Sequence, residues 1–295
     1  PGGGLNAAPE PSEPISLDQI LQSDLWTWLV EAETTHHQST MFQPAGGMDM
    51  IARGFEREVG DLITYNAKVL SMIEDENGVT VEYEDLEGGG TQTRSGDYCI
   101  CTIPFSILSQ IEHNLSGDKA AVIDSMYYAG SAKFGLEFKR RFWEQDDAIY
   151  GGVSYTNLPI TNISYPSTKF CDKGKGVLLG GYVWGPNAFE FTSLPPEERV
   201  KKAVQYGKQI HPQYEQEFDN GIAVGWHRVP WTQGCYGVWT EEKREEHYEN
   251  LCQVDGRLVL AGEHASNLPA WQEGAIASAR DAIERLHAKA LTTAA

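Results

Sequence analysis

Hydrophobic positions change period several times along this 295-residue chain. Residues 16–40 begin with Ile20, Leu21, Leu25, Leu29 and Val30 at helical spacing, and Ser16 and Asp18 supply a helix start signal. The stretch "FQPAGGMDMIARGFEREVGDLI" reads as a turn followed by a helix, with Met50, Ile51 and Phe55 on one face. Strand patterns follow in "ITYNAKVLSMI" and "GVTVEYED". The turns are at Asn77-Gly78 and Gly88-Gly89-Gly90, with a return strand expected at "DYCICTI". Beyond Pro104 the pattern shifts. "AKFGLEFKRRFW", "NISYP" and "GVLLGGYVWG" predict strands, and "PPEERVKKAVQYGKQI" predicts a helix with proline near its start. "GRLVLAGEH" is short and almost continuously apolar, as strands buried on both faces are. It leads into "QEGAIASARDAIERLHAKA", where Ala275, Ile276, Ala279, Ala282, Ile283 and Leu286 form a helical stripe. No fixed-period repeat is present. The elements predict an α/β or α+β architecture in which early and late segments share one domain.

Composition adds limits. With 41% apolar residues and eight tryptophans the chain can bury a substantial core, as one large or two intertwined domains. A net charge of −19 argues against nucleic acid or an anionic membrane surface as partner. No apolar run approaches the roughly 20 residues of a membrane helix. "PGGGLNAAPEPSEP" reads as a Pro/Gly linker rather than a signal peptide, so the chain is expected to begin at a cleavage or boundary point. Five cysteines, Cys99, Cys101, Cys171, Cys235 and Cys252, are too scattered for a disulfide framework or a metal cage, and they read as ordinary buried thiols. Triplets starting at Asn114 and Asn162 resemble glycosylation acceptors and leave the compartment open.

Candidate chemistry gathers near the C-terminus. Gly262 at the end of an apolar strand would let a ligand approach the backbone, and Glu263 could accept hydrogen bonds from sugar-like hydroxyls. The helix start after Trp271, at Gly274, Ala275 and Ile276, offers unpaired N–H groups and a positive dipole end to an anionic ligand. A strand-turn-helix with a solvent-exposed glutamate is the competing reading.

"AGEHASNLPAWQEGAIASARDAI" resembles the C-terminal flavin signature of the flavin amine oxidase family, which includes monoamine, polyamine and L-amino acid oxidases. Further segments are similar to that family in its own order, from about residue 40 to 290. "QPAGGMDMIARGF" resembles its double-glycine turn and helix, and "ITYNAKVLSMIEDENGVTVEYED" the strand pair with the adenine-contacting valine, here Val69. "DYCICTIPFSIL" resembles its returning strand, "AKFGLEFKRRFW" the segment of its active-site lysine, here Lys133, and "WHRVPWTQGCYG" its Trp/Gly/Tyr segment. The resemblance implies that Lys133 holds a water near flavin N5, and that Tyr236 and Trp271 form an aromatic pair facing the flavin. It also places Tyr182 where L-amino acid oxidases hydrogen-bond the substrate carboxylate. Each residue has a plainer alternative. Val69 could be a strand valine, Lys133 a surface lysine, Tyr182 an edge-strand residue, and Tyr236 and Trp271 core aromatics.

A noncovalent FAD is expected, held by Val69, Gly262, Glu263, Gly274, Ala275 and Ile276. Cys235 in Gly-Cys-Tyr keeps a covalent link open, as in monoamine oxidases. No metal is expected. The family's N-terminal Gly-x-Gly-x-x-Gly is not found in this sequence, since "PGGGLNAAP" and "EGGGTQT" lack its spacing and its preceding strand. The resemblance therefore implies the C-terminal portion of an L-amino acid oxidase. It would be an FAD-binding domain of the glutathione-reductase-like type, completed by a separate N-terminal chain and interleaved with a mixed-sheet substrate-binding domain. The expected boundaries are a linker at 1–15, a helical segment at 16–40, FAD-binding parts at 41–103 and 236–290, a substrate-binding domain at 104–235 and a tail at 291–295. The expected reaction is oxidative deamination of an L-amino acid with oxygen, giving a 2-oxo acid, ammonia and hydrogen peroxide in an oligomer of processed chains. Mono- or polyamine oxidation, amino acid 2-monooxygenation and a catalytically silent interaction module are the alternatives.

Overall fold

Alternation along Ser131–Phe138 buries Ala132, Phe134, Leu136 and Phe138 on one face and leaves Lys133, Gly135 and Glu137 on the other. A computed structural model of the chain describes residues 8, 11, 13–23, 26 and 42–293. Its contacts divide into two compact units, Pro1–Gly47 with Gly130–Gly225, and Met48–Ala129 with Trp226–Ala295. The sequence reading draws its boundaries at 103/104 and 235/236. By packing, residues 104–129 go with the second unit, because Phe105, Leu108, Val122 and Ile123 fill the same core as Met72 and Leu258.

The first unit is built on a five-stranded sheet in the order Phe218–Gly225, Ser131–Phe138, Gly176–Trp184, Asn162–Ser164, Val153–Tyr155. Every neighbouring pair is antiparallel, where a mixed sheet is expected from the sequence. The strand Phe218–Gly225 carries no strong alternation and escapes the sequence reading. The predicted helix, Pro196–Gly207, packs Val200 and Ala203 against the sheet's core side, where Phe134, Phe142, Trp143, Phe191 and Tyr214 are fully buried.

One irregularity decides where the site residues point. Between Leu179 and Tyr182 the pairing with Ser131–Phe138 slips, so that Leu179 faces Gly135 and Tyr182 faces Lys133. Three residue steps on one strand therefore match two on the other, which is a β-bulge at Gly180-Gly181. Before it Leu178 is buried, and after it Val183 is buried, so the parity of the strand reverses. Both glycines are enforced by packing. A Cβ on Gly180 would lie 2.3 Å from Leu136 Cδ1, and one on Gly181 would lie 2.9 Å from Phe134 Cδ2.

The second unit carries a four-stranded sheet in the order Gly90–Gly96, Val79–Asp85, Ala67–Glu74, Glu112–His113. The return strand after the Gly88-Gly89-Gly90 tip is thus Gly90–Gly96, not "DYCICTI". Its residues are polar and exposed throughout, so no apolar alternation announces it. Cys99–Cys101 instead pairs in parallel with Leu258–Leu260, whose three residues are all buried as its apolar run predicts. Helix Gln272–Thr293 packs Ala282 against Val259 and Ala261, while Ile276 and Ile283 of its predicted stripe are exposed.

Helix Asp49–Val59 forms where predicted, but none of its residues is buried and Phe55 is exposed. Near the N-terminus, Leu17–Gln22 is helical. Ser16 and Gln19 exchange capping-box hydrogen bonds at 3.2 Å. Leu25, Leu29 and Val30 lie outside the described residues, as does most of the expected linker. The five cysteines form no disulfide, and Cys171 is exposed rather than a buried thiol. Among the described residues no group of side chains could hold a metal ion, and no helix is long and apolar enough to cross a membrane.

Candidate active site

Because of the bulge, Tyr182 and Trp184 share the non-core face of the first unit's sheet with Lys133. The Lys133 ammonium lies 4.4 Å from the centre of the Tyr182 ring, a cation–π contact, and the Tyr182 and Trp184 rings are 4.6 Å apart. Lys133 is half-buried rather than sealed among core residues. Its placement therefore does not carry the desolvation cost that a lysine between Ala132 and Phe134 suggests in sequence. Val224 of the neighbouring strand stands opposite it on the other side.

In the second unit a cavity of about 260 Å³ is lined by Gly262, Glu263, His264, Ala275, Cys235 and Tyr128, together with Thr102, Pro104, Thr232 and Gly234. Gly262 sits at φ 132°, in the region that favours glycine, and a Cβ there would come 2.6 Å from His264 Cε1. A Cβ on Gly234 would likewise lie 2.6 Å from Tyr128 Cβ. The backbone is therefore bare on two sides of the cavity. Its lining combines apolar surface with a few hydroxyl and carboxylate groups, the character of small-molecule sites.

Glu263 accepts two backbone hydrogen bonds, Oε1 from the Gly237 N–H and Oε2 from the Ala270 N–H, both at 2.9 Å. Burial pushes its carboxyl above the usual range, and the Ala270 and Gly237 N–H groups oppose that rise. Its neighbour His264 is almost wholly buried, with its ring centre 4.1 Å from that of Phe105. Burial drives the His264 imidazole down to about 4, against the pull of the Ala261 carbonyl. The Tyr128 hydroxyl accepts from the Phe105 N–H at 3.0 Å and shares a hydrogen bond with His264 Nδ1, 3.3 Å away. Burial also holds the Tyr128 hydroxyl well above the usual tyrosine range.

A larger cavity of about 930 Å³ in the same unit is lined by Val69, Leu70, Ile103, Pro104, Ile107 and Trp231, among others. Pro104 borders both cavities. Val69 adjoins a second bulge, at which Val69 pairs with Tyr83 and Ser71 with Glu82, and this turns both Val69 and Leu70 to the cavity wall.

The structure thus brings Gly262, Glu263 and Ala275 together with Cys235, and separately brings Lys133 together with Tyr182. Val69 borders the larger cavity. Gly274 is buried under the preceding loop, where a Cβ would lie 2.0 Å from the Leu268 carbonyl oxygen, and Ile276 is exposed. Of the helix start, Ala275 reaches the smaller cavity. Tyr236 is half-buried and Trp271 exposed, and neither is among that cavity's lining residues. Sequence reasoning missed His264, Tyr128, Pro104 and Trp184. The first stood in plain view beside Glu263, whereas Tyr128 has no local signal, because its role depends on a partner 136 residues away.

Comparison with known proteins identifies the family. Residues 12–287 match the profile of the flavin containing amine oxidoreductases. The YobN protein of Bacillus subtilis strain 168 is 32% identical over 242 residues, covering 80% of this chain and 50% of its own length. The flavin-dependent L-tryptophan oxidase RebO of Lentzea aerocolonigenes is 31% identical over 252 residues, with coverages of 82% and 52%. An L-amino-acid oxidase of Siganus canaliculatus is 29% identical over 250 residues, with coverages of 83% and 47%. The chain spans about half the length of these curated relatives. Among solved structures, a putrescine oxidase variant superposes with a TM-score of 0.69 at 18% identity, covering 81% of this chain and 52% of that one. Cyclohexylamine oxidase from Brevibacterium oxydans gives 0.67 at 17%, with coverages of 85% and 54%. The shared mixed α/β fold and the near-complete profile match place this chain in the flavin-containing amine oxidoreductase family, whose cofactor is a flavin.

Proposed function

We propose that this chain is the C-terminal part of an FAD-dependent L-amino acid oxidase, and that the reaction is L-amino acid + O2 + H2O → 2-oxo acid + NH3 + H2O2. The observation that carries the reading is the Lys133–Tyr182 pair, set on one sheet face by the Gly180-Gly181 bulge. The 31% identity to an enzyme named as an L-tryptophan oxidase supports an amino acid substrate. The residues present fit a flavin. Gly234 and Gly262 bare the backbone on two sides of the smaller cavity, and Glu263, Thr102 and Thr232 offer hydrogen-bonding groups beside Pro104 and Ala275. The larger cavity, which includes Val69, suits the adenine end.

FAD, when bound, would accept the substrate Cα hydrogen as hydride. The chain's own residues do the rest. Lys133 holds a water by its ammonium, which lies over the Tyr182 ring. The Tyr182 hydroxyl donates to the substrate carboxylate, and Tyr236 and Trp271 frame the amino group, which must be neutral so that its lone pair can form the imine as the Cα hydrogen leaves as hydride. Gly262, Glu263 and Ala275 bind the flavin without a covalent bond. The chain works with an N-terminal chain carrying the Gly-x-Gly-x-x-Gly motif, which completes a glutathione-reductase-like FAD domain.

Two measurements test this. Product analysis of the flavin-loaded assembly should give a 2-oxo acid, and an aldehyde would transfer the assignment to amines. Lys133→Met should slow oxidation of reduced flavin by oxygen about 100-fold, the scale of a lost proton-handling group. Unchanged reoxidation and turnover would remove Lys133 from the mechanism. A flavin-sized mass increment on the Cys235 peptide after denaturation would replace noncovalent binding by a covalent link.

A further inference from the structure

Glu263 does more in this fold than line a cavity. Its two carboxylate oxygens end on two different segments, one at the Gly237 N–H and the other at the Ala270 N–H, each 2.9 Å away. Those amides flank the two aromatic residues assigned to the substrate. The Gly237 N–H belongs to the peptide that follows Tyr236, and the carbonyl of that same peptide accepts from the Ala129 N–H at 3.0 Å. Both ends of the Tyr236–Gly237 peptide are therefore held. On the other side, Ala270 stands at φ 70°, an unfavourable conformation for a residue with a Cβ, immediately before Trp271. The carboxylate bond helps keep Ala270 there. The loop between Glu263 and Trp271 is closed further by Ser266 Oγ, which donates to the Glu263 carbonyl at 2.8 Å and accepts from the Leu268 N–H at 3.1 Å.

We infer that Glu263 is a positioning residue, whose carboxylate joins the Tyr236 and Trp271 segments and fixes the two aromatics relative to each other. The inference rests on the proposed roles of those aromatics and deepens them. Only an ionised carboxylate is suited to the task. It accepts with both oxygens, whereas a glutamine amide presents one acceptor and one donor and can serve one segment only. Hydrogen bonds from N–H groups to a charged carboxylate are also the stronger kind, and removing the acceptor leaves two amides without their partner.

The test uses the flavin-loaded full protein with its N-terminal partner and compares Glu263→Ala, Glu263→Gln and Trp271→Ala. Amide hydrogen exchange at Gly237 and Ala270 should accelerate about tenfold or more at both positions in Glu263→Ala and at one of them in Glu263→Gln, while Leu258–Leu260 keeps its protection. The KM for the amino acid should rise more than kcat falls when rates are referred to the flavin actually bound. In Glu263→Ala/Trp271→Ala the effects on KM should fall short of the product of the singles, because both changes disable one aromatic. If Glu263→Ala does not fold, the same comparison is made on Glu263→Gln. Wild-type exchange at both amides in the variants, flavin loss with both amides still protected, or KM effects that multiply fully would each overturn the positioning role. Failure of the wild-type assembly to oxidise any amino acid would sink the proposed function, and the exchange measurement would still decide whether the carboxylate joins the two segments.

Discussion

His264 and Glu263 are adjacent residues whose protons respond to burial in opposite senses. His264 is lowered to about 4 in the fold from an unfolded value near 6.5. Below pH 6.5 the unfolded chain takes up a proton that the native state refuses, so stability falls as the pH drops from about 6.5 to about 4 and levels off beneath that. The full swing is about 3 kcal/mol, at about 1.36 kcal/mol for each unit of pKa. Glu263 is raised in the fold, so it contributes stability at low pH that is lost as pH rises through its folded value. It therefore opposes part of the His264 loss. Urea unfolding between pH 7 and pH 4 should show a net loss on acidification, and His264→Asn, whose amide can still hydrogen-bond the Tyr128 hydroxyl, should flatten it. An unaltered pH slope in His264→Asn would mean that the imidazole titrates as it does in the unfolded chain.

Among the elements, the Gly176–Trp184 strand has the sharpest consequences. The Gly180-Gly181 bulge places Tyr182 opposite Lys133. Closing it with all residues present would slip Tyr182 to face Ala132 and turn it toward the core of Phe134 and Leu136. Deleting Gly180 instead removes the extra residue and keeps Tyr182 opposite Lys133 in a regular pairing. The expected result of the deletion is a unit that still unfolds cooperatively, with Tyr182 still beside Lys133. Gly181→Ala keeps the residue count and should cost about 1–3 kcal/mol, the usual range for overpacking, read as a lowered urea midpoint. A Gly180 deletion variant that loses cooperative unfolding would show that the bulge does more than set the facing of Tyr182. This element also marks the limit of sequence legibility. The strand itself is evident from its apolar run, and Tyr182 was singled out by resemblance. Yet strict alternation through "GVLLGGYVWG" puts Tyr182 on the same face as Leu178, and only the cross-strand register reveals otherwise. Glu263 is a similar case. Its position after Gly262 marks it as a candidate in the sequence, but its bonds to Gly237 and Ala270 depend on a chain reversal that no local pattern encodes. The exposed Gly90–Gly96 strand was missed because it buries nothing, and periodicity records only burial.

For the whole molecule, charge and buried histidine act over the same pH range. The sequence pI is about 4.8 and the net charge at pH 7 is −19, so the repulsion that keeps copies apart vanishes as the His264 cost accumulates. Light scattering should rise between about pH 5.5 and about pH 4.5 and should rise less in His264→Asn. Equal scattering in the two proteins would assign the effect to net charge alone. The chain's organisation bears on its synthesis as well. Cys99–Cys101 has its partner strand at Leu258–Leu260, and between them lies the whole Gly130–Gly225 stretch, with a sheet of its own. On a ribosome the inner stretch emerges complete while Cys99–Cys101 still lacks its partner. At about 5–20 residues per second that wait lasts roughly 8–30 seconds. The translation rate across residues 102–260 thus sets how long a half-made parallel pair is offered to other nascent chains and to chaperones.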